Sequence, residues 1–338
     1  MLVNRDATSG TMVDMLPHQP LEAPNARSWF DAWLESAYGA DGFWRRHWPD
    51  EHFRTAAATS PMFAEAVAAV ASRIGVDAVV DVGSGRGDLL TGLAGSAAAL
   101  RLAGIDLRSR PEGLPATVDW AEDLWDVRYG RWTTGQAEAL LGGDGPVLVV
   151  AAEWLDDLPA HVVTLAADGW RDVVVEPGGE ERPGPRLTGA DLEWADRWWP
   201  SGQRAEIGST RDRAWAALAS VVRRRGGGLL LVDYGHDREH RPAEGSFTAY
   251  RDGRQVPPMP STEMNLTAHV SVDAVRTAGE AAGLRTALDA LQDEALARLL
   301  AAGQPDADPL RDLARRSERA ALASAYGWGT HRWLVQLA

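Results

Sequence analysis

The residues best placed to do chemistry begin with the stretch Asp81-Val82-Gly83-Ser84-Gly85-Arg86-Gly87. Its glycines let the backbone pass close to a ligand with no Cβ in the way, and a helix opening at Asp88-Leu89-Leu90 would aim its free N–H groups at the same place. A carboxylate about 20 residues later, at the end of the next strand, could accept both hydroxyls of a ribose. Asp106 stands there, 19 residues after Gly87. A second group, Glu153-Trp154-Leu155-Asp156-Asp157, follows the apolar run Val147 to Ala152. Glu153 and Asp156 could together hold a guanidinium, with charge-assisted bonds of roughly 1.5–3 kcal/mol each; Asp156 serves equally well as a cap for the following turn. Tyr234, after the buried run Leu229 to Val232, and His269, in Leu266-Thr267-Ala268-His269-Val270, could line the same acceptor side. A lone histidine among apolar residues is also commonly structural.

The spacing Gly-x-Gly-x-Gly, with Asp81 two residues ahead, differs from the Gly-x-Gly-x-x-Gly of dinucleotide enzymes. A carboxylate beside the turn would repel a pyrophosphate but favour the ammonium and sulfonium end of S-adenosylmethionine. A tight turn without a ligand, and a nicotinamide or flavin cofactor, remain the alternatives at this point. Trp120 and Asp123 lie where a third strand would deliver residues to an adenine, although Asp123 also reads as a helix-start carboxylate. His18, His47 and His52 lack metal-ligand spacing, so no metal is expected.

The elements that must position these residues alternate in type. Ala78 to Val82, Leu102 to Leu107, Ala116 to Trp120 and Val147 to Ala152 are strand-length apolar runs, with a helix expected over Asp88 to Leu100. Such alternation predicts parallel βαβ units, with ligands outside the carboxyl ends of the strands. Ahead of them, Trp29, Phe30, Trp33 and Leu34, then Met62, Ala66, Val67, Val70 and Ile74, recur at helical spacing. The fold expected is α/β, a doubly wound Rossmann-like sheet with an N-terminal helical cap and an insertion after the fourth strand. In this reading residues 1–26 are a flexible arm, 27–75 the cap and 76–338 the catalytic domain. Within that domain, about 160–210 is the insertion, with a hairpin turning at Asp168-Gly169-Trp170 and a surface connection from Pro177 to Gly189. The Pro-rich stretch at about 240–264 is a lid-like loop, and His331 to Leu337 is a last strand.

Composition removes whole classes of chemistry. Among 338 residues there is no Cys and no Lys, so all 34 basic residues are Arg. Disulfides, thiolate nucleophiles, thiolate metal sites, Schiff bases and a P-loop lysine are thereby excluded. The net charge of −14 argues against general nucleic-acid binding and suits cationic partners. The longest apolar runs fall short of the roughly 20 residues of a membrane helix, and the N-terminus lacks the pattern of a signal peptide. A cytoplasmic protein is expected.

In order along the chain, several segments resemble one family, the MidA-like S-adenosylmethionine-dependent methyltransferases, whose members include a mitochondrial complex I assembly factor that methylates a protein arginine. The matching pieces are Ala37-Tyr38-Gly39-Ala40-Asp41-Gly42-Phe43-Trp44, Phe53-Arg54-Thr55, Ser60-Pro61-Met62-Phe63-Ala64-Glu65, the glycine turn, Trp120 to Leu124, Glu153-x-x-Asp156-x-Leu158-Pro159, Val232-Asp233-Tyr234-Gly235, Gly245-Ser246-Phe247-Thr248-Ala249-Tyr250, Leu266 to Val270, and Gln292. The resemblance implies a methyltransferase of EC class 2.1.1 using S-adenosyl-L-methionine, with an arginine-bearing protein as acceptor. Asp81, Gly83, Gly85 and Gly87 would hold the methionine portion and Asp106 the ribose, while Glu153 would orient a cationic nitrogen and help to draw off its proton, with Asp156, Tyr234 and His269 in support. Four positions depart from the family: Ala152 for its usual Asn, Thr248 for Arg, Asn265 for Asp, and Ser271 for a common acidic residue. All four fall on the expected acceptor side, which keeps open a small-molecule acceptor, or a cofactor-binding assembly chaperone without turnover.

Overall fold

Val147–Ala152 is buried along nearly its whole length, as an unbroken apolar run requires when both faces of a strand are covered. It lies in the middle of a sheet ordered Arg285–Leu291, His331–Leu337, Gly227–His236, Val147–Ala152, Ala78–Val82, Arg101–Asp106, Val118–Glu122. Gly227–His236 through Val118–Glu122 pair in parallel, while His331–Leu337 runs antiparallel to both of its neighbours. From Ala78–Val82 the chain winds one way to Arg101–Asp106 and Val118–Glu122, then returns to Val147–Ala152 on the other side. The strand order therefore reverses between Ala78–Val82 and Val147–Ala152, and a crevice opens there at the strand ends. Helices cover both faces: Ser209–Arg225 and Val272–Ala281 pack with Val149 and Leu231, and Pro61–Ile74 and Asp88–Ser96 with Leu148 and Val150. This is a doubly wound α/β fold with a helical N-terminal region. The computed structural model describes residues 26–48, 55–97, 99–300, 308–324 and 327–338; the arm expected over 1–26, all but its last residue, lies outside these, as do Phe53-Arg54, His18 and His52.

After the fourth strand the chain builds a second sheet. His161–Ala166 and Gly169–Val175 form the expected hairpin; Arg204–Ile207 flanks its first strand, and Gly169–Val175 pairs with Glu181–Arg186 along one edge and with Arg27–Ser28, beyond the end of His161–Ala166, along the other. Its alternate residues serve two cores, Val162 and Val173 packing with Trp29 and Trp33, and Val163 and Trp170 with Trp194 and Trp199.

Three local expectations differ from the structure. Glu181–Arg186 is a strand rather than surface connection, because Pro183 and Pro185 lie on an edge paired only to Gly169–Val175, where a missing N–H costs no ladder bond. Residues 248–256 form a hairpin rather than a structureless loop, turning at Asp252-Gly253 with φ of 51° and 72°; Asp-Gly suits the mirror-image turn of a two-residue hairpin. The strand Thr248–Arg251 pairs on its other edge with Asn265–Thr267, tying this flap to the sheet ends. Asp123 starts no helix of its own. Its carboxylate accepts from the N–H groups of Leu124, Thr133, Thr134 and Ala137, and so pins the loop that leads into the helix Gln136–Leu141. Burial alone would raise its pKa, but these hydrogen bonds hold it below the ordinary carboxylate value. Among the described residues, no helix is long and apolar enough to cross a membrane.

Candidate active site

Two adjoining cavities occupy the crevice and share Trp44, Gly83, Gly85, Glu153 and Asp157 in their walls. The turn between them forms as its glycines require. Gly83 has φ of 72°, and a Cβ there would stand 2.5 Å from Cδ1 of Trp154, whose ring is stacked on Trp132 and cannot easily yield. Gly83→Ala should therefore cost about 1–3 kcal/mol of stability from backbone strain alone, read as a lowered denaturation midpoint, and should reshape both cavities. Gly87, the residue before the helix Asp88–Ser96, has φ of 76°; a Cβ there would meet Leu114. Its glycine serves the turn and the packing, and Gly87 lines neither cavity. Asp81 lies beneath the turn, accepting from Ser84 Oγ at 2.7 Å. Burial raises its pKa to about 7.

The second cavity is the more apolar in its wall of Ile105, Leu124, Trp125, Trp132, Trp154 and Leu158, with Asp106 and Asp123 as the acids it does not share with the first. Asp106 accepts from Gly85 N at 2.8 Å and Arg108 N at 3.1 Å, and burial raises its pKa. Leu107 N is a third backbone donor, and a carboxylate has about four acceptor sites, so acceptor capacity remains for a ribose hydroxyl. Trp120 does not reach either cavity: its ring packs against Gly104, and its Nε1 donates to the Arg108 carbonyl. The indoles of Trp132 and Trp154 line the cavity instead. Sequence reading missed Trp132 because it arrives on the short hairpin formed by Trp125–Asp126 and Arg131–Trp132, too brief to show a period.

The first cavity brings together Glu153, Asp156, Tyr234 and His269, the four residues expected on the acceptor side, with Asp157, Tyr250, Asn265 and Thr267. Glu153 is held in the left-handed region at φ of 51°, a conformation that costs a non-glycine residue about 1–3 kcal/mol and that persists where the surroundings enforce it. Its Oε1 accepts from Ala56 N at 2.9 Å, and its Oε2 lies 3.7 Å from Nε2 of His331. Asp156 accepts from Thr267 Oγ1 at 2.9 Å. Burial raises the pKa of Asp156, and it pushes Asp157 and the fully buried Asp233 well above their usual range, with the Asp156 charge adding to both. Asp233 is structural, receiving Leu155 N and Asp156 N. The Tyr234 ring lies between His331 and His269, with centroids 3.9 and 5.9 Å away; burial raises its hydroxyl pKa.

One cation organises this cluster from behind. Arg211, 1% exposed, donates to the carbonyls of Leu158, Ala268, His269 and Asp156, joining the Glu153–Leu158 loop to the Ala268–His269 segment. Arg211, Asp157 and His331 were not expected as site residues; an arginine in an amphipathic helix and a histidine opening a strand carry no local signal of what they will face.

The acceptors present fit S-adenosylmethionine and its cationic end. The turn offers the Asp81 carboxylate, and the next strand end offers Asp106. Oδ1 of Asp156, Oδ1 of Asp157 and Oδ1 of Asn265 are buried without a hydrogen-bond partner among the described residues, so the first cavity is rich in oxygens that call for donors.

Comparison with known proteins supports this fit. Residues 93–288, more than half the chain, match the model of the family described as "Putative S-adenosyl-L-methionine-dependent methyltransferase". The mitochondrial protein arginine methyltransferase NDUFAF7 of Danio rerio is 32% identical over 99 residues, 27% of this chain and 22% of that protein's length. A crystal structure of a "likely methyl transferase" from Burkholderia thailandensis bound to S-adenosyl-homocysteine superposes with a TM-score of 0.71 at 20% identity, over 93% of this chain and 88% of that one. A native crystal structure of an uncharacterized protein from the same organism gives 0.70 at 21% identity, with the same coverage. The likeness to these two structures is one of fold, and the family match carries the activity: the chain belongs to this family of S-adenosyl-L-methionine-dependent methyltransferases.

Proposed function

We propose that the enzyme N-methylates a protein arginine, or another cationic nitrogen, and that it acts in the cytoplasm. The observation that carries the acceptor is the convergence of Glu153, Asp156 and Asp157 in one cavity, two of them with unpaired buried oxygens. Such a wall complements a guanidinium and penalises a neutral or anionic acceptor left without its donors. The distant NDUFAF7 relative, a protein arginine methyltransferase by name, points the same way. When bound, S-adenosylmethionine supplies an electrophilic methyl group on its sulfonium, the sulfur keeping the electron pair of the broken bond. The chain's own contribution is placement: Asp106 takes the ribose hydroxyls in the second cavity, and Asp81 faces the ammonium across the glycine turn. Glu153 orients the acceptor nitrogen and accepts the proton that the nitrogen sheds, while Tyr234 and His269 wall the approach. Fixing two reactants in this way is worth about 7–11 kcal/mol of barrier when the geometry is right.

Two binding predictions test the cofactor contacts. Asp106→Ala should weaken S-adenosylmethionine about 10- to 100-fold by calorimetry, the equivalent of hydrogen bonds to a charged acceptor worth roughly 1.5–3 kcal/mol; an unchanged Kd would contradict the ribose contact. The affinity should also depend on pH. Asp81, raised to about 7, is protonated below that pH and must lose its proton to meet an ammonium. Binding should therefore tighten as pH rises from 6 to 8 and level off above, and Asp81→Asn should flatten the slope.

Three of the four departures from the family, Ala152, Thr248 and Asn265, line this same cavity, which favours a second reading: the same chemistry on a small-molecule cation. Incubating cell extract with methyl-labelled cofactor and separating protein from small-molecule label divides the two. Label in protein, recovered as methylarginine on hydrolysis, supports the proposal; label confined to small molecules supports the second reading.

A further inference from the structure

His331 opens the antiparallel strand His331–Leu337, opposite Tyr234. It is fully buried. Nδ1 lies 2.9 Å from the carbonyl oxygen of Trp328, and a carbonyl can only accept, so that nitrogen carries the proton and donates. In the neutral ring Nε2 then presents a lone pair, and it has no hydrogen-bond partner among the described residues. What it faces is Oε2 of Glu153, 3.7 Å away. The other carboxylate oxygen is already taken up by Ala56 N. Two acceptors thus face each other in a buried space, a repulsive arrangement that a single added proton converts into an attractive one. The ring is clamped by Tyr234 on one face, and His269 and Asp156 are the other titratable groups whose charges bear on it.

We infer that Glu153 and His331 form a proton-holding pair, in which His331 is the positioning residue that lets Glu153 keep the proton released by the acceptor nitrogen. The inference rests on the proposed N-methylation. Methylating a cationic nitrogen forms one N–C bond and leaves one N–H proton to be lost. That proton passes to Oε2 of Glu153 and is then shared with Nε2 of His331, with no oxidant or further reactant needed. Glu153 is part of the cavity wall and His331 lies buried behind it, so the imidazole meets the proton only through Glu153.

The test begins with the enzyme alone. In 15N-labelled protein, the ring signals that disappear in His331→Gln identify this imidazole. The expected result is a protonated Nδ1, and a Nε2 signal that shifts when Glu153→Gln is made, while the His161 and His240 signals do not shift with that substitution. A Nε2 signal that is indifferent to Glu153→Gln would overturn the pairing. Turnover gives the second readout: His331→Gln should lower kcat about 10- to 100-fold, steepen its dependence on pH, and leave the calorimetric Kd for S-adenosylmethionine within twofold. His331→Phe fills the same space without a base and should lose at least as much. Wild-type kcat in both variants, with the cofactor still bound, would overturn the inference. If the methyl label instead appears on an acceptor that sheds no proton, the N-methylation reading fails while the NMR coupling still reports on the pair.

Discussion

Replacing Glu153 by glutamine should lower kcat about 10²- to 10⁴-fold, the range expected when a positioned acid or base is lost, while S-adenosylmethionine still binds within a few-fold of its wild-type affinity. Glutamine keeps the shape of the side chain and an oxygen for Ala56 N, so the backbone at φ of 51° has the same anchor. It removes the negative charge that would face the proposed acceptor and the oxygen that would take its proton. The loss should appear mainly in kcat if proton acceptance dominates, and in KM for the acceptor if orientation of the cation dominates. Single-turnover transfer of labelled methyl, beside calorimetric cofactor binding, separates these. Unchanged single-turnover transfer would remove Glu153 from the chemistry.

Arg211→Met should have the largest effect on stability, about 3–5 kcal/mol, the typical cost of removing one member of a buried charge cluster. The guanidinium is paired mainly with carbonyls: Leu158, Ala268, His269 and Asp156 all receive its N–H groups. Methionine takes this donor from all four, and the Asp156 carbonyl keeps Ala268 N at 3.2 Å. It also removes the positive charge that offsets Asp156, Asp157, Asp233 and Glu206. Burial lowers the pKa of Arg211, and those same acids oppose that lowering, so the cation and the acids depend on one another. Arg211→Lys should recover only part of the loss, since an ammonium cannot span four carbonyls as the planar fork does. Chemical denaturation measures both variants; a change below about 1 kcal/mol for Arg211→Met would mean that the loop is held by other contacts.

The parts of this site that could be read from the sequence are those whose signals are local. Ala78–Val82 followed by Gly-x-Gly-x-Gly, and Asp106 at the end of the next strand, follow from period and spacing, and the structure brings both to the crevice. Glu153, Asp156, Tyr234 and His269 gather in one cavity because three strand ends and the flap behind them meet at the reversal of strand order. His331 could not be placed that way. It reaches Glu153 through the antiparallel pairing of Tyr234 with His331, a register decided by residues nearly 100 positions apart in the chain. Trp120 and Trp132 exchange expectations for a similar reason: Trp120 turns against Gly104, and Trp132 comes in on a hairpin that no apolar period announces. The Asp252-Gly253 turn is different. Its signature was present in the sequence, masked by the prolines around it.

The most direct test of the central claim uses wild-type enzyme and Glu153→Gln side by side, with methyl-labelled S-adenosylmethionine and cell extract, followed by acid hydrolysis of the labelled protein. Methylated arginine, or another N-methylated cation, is expected with wild type, and at least a hundredfold less with Glu153→Gln. Label on a neutral or anionic group, or equal labelling by the two proteins, would contradict it.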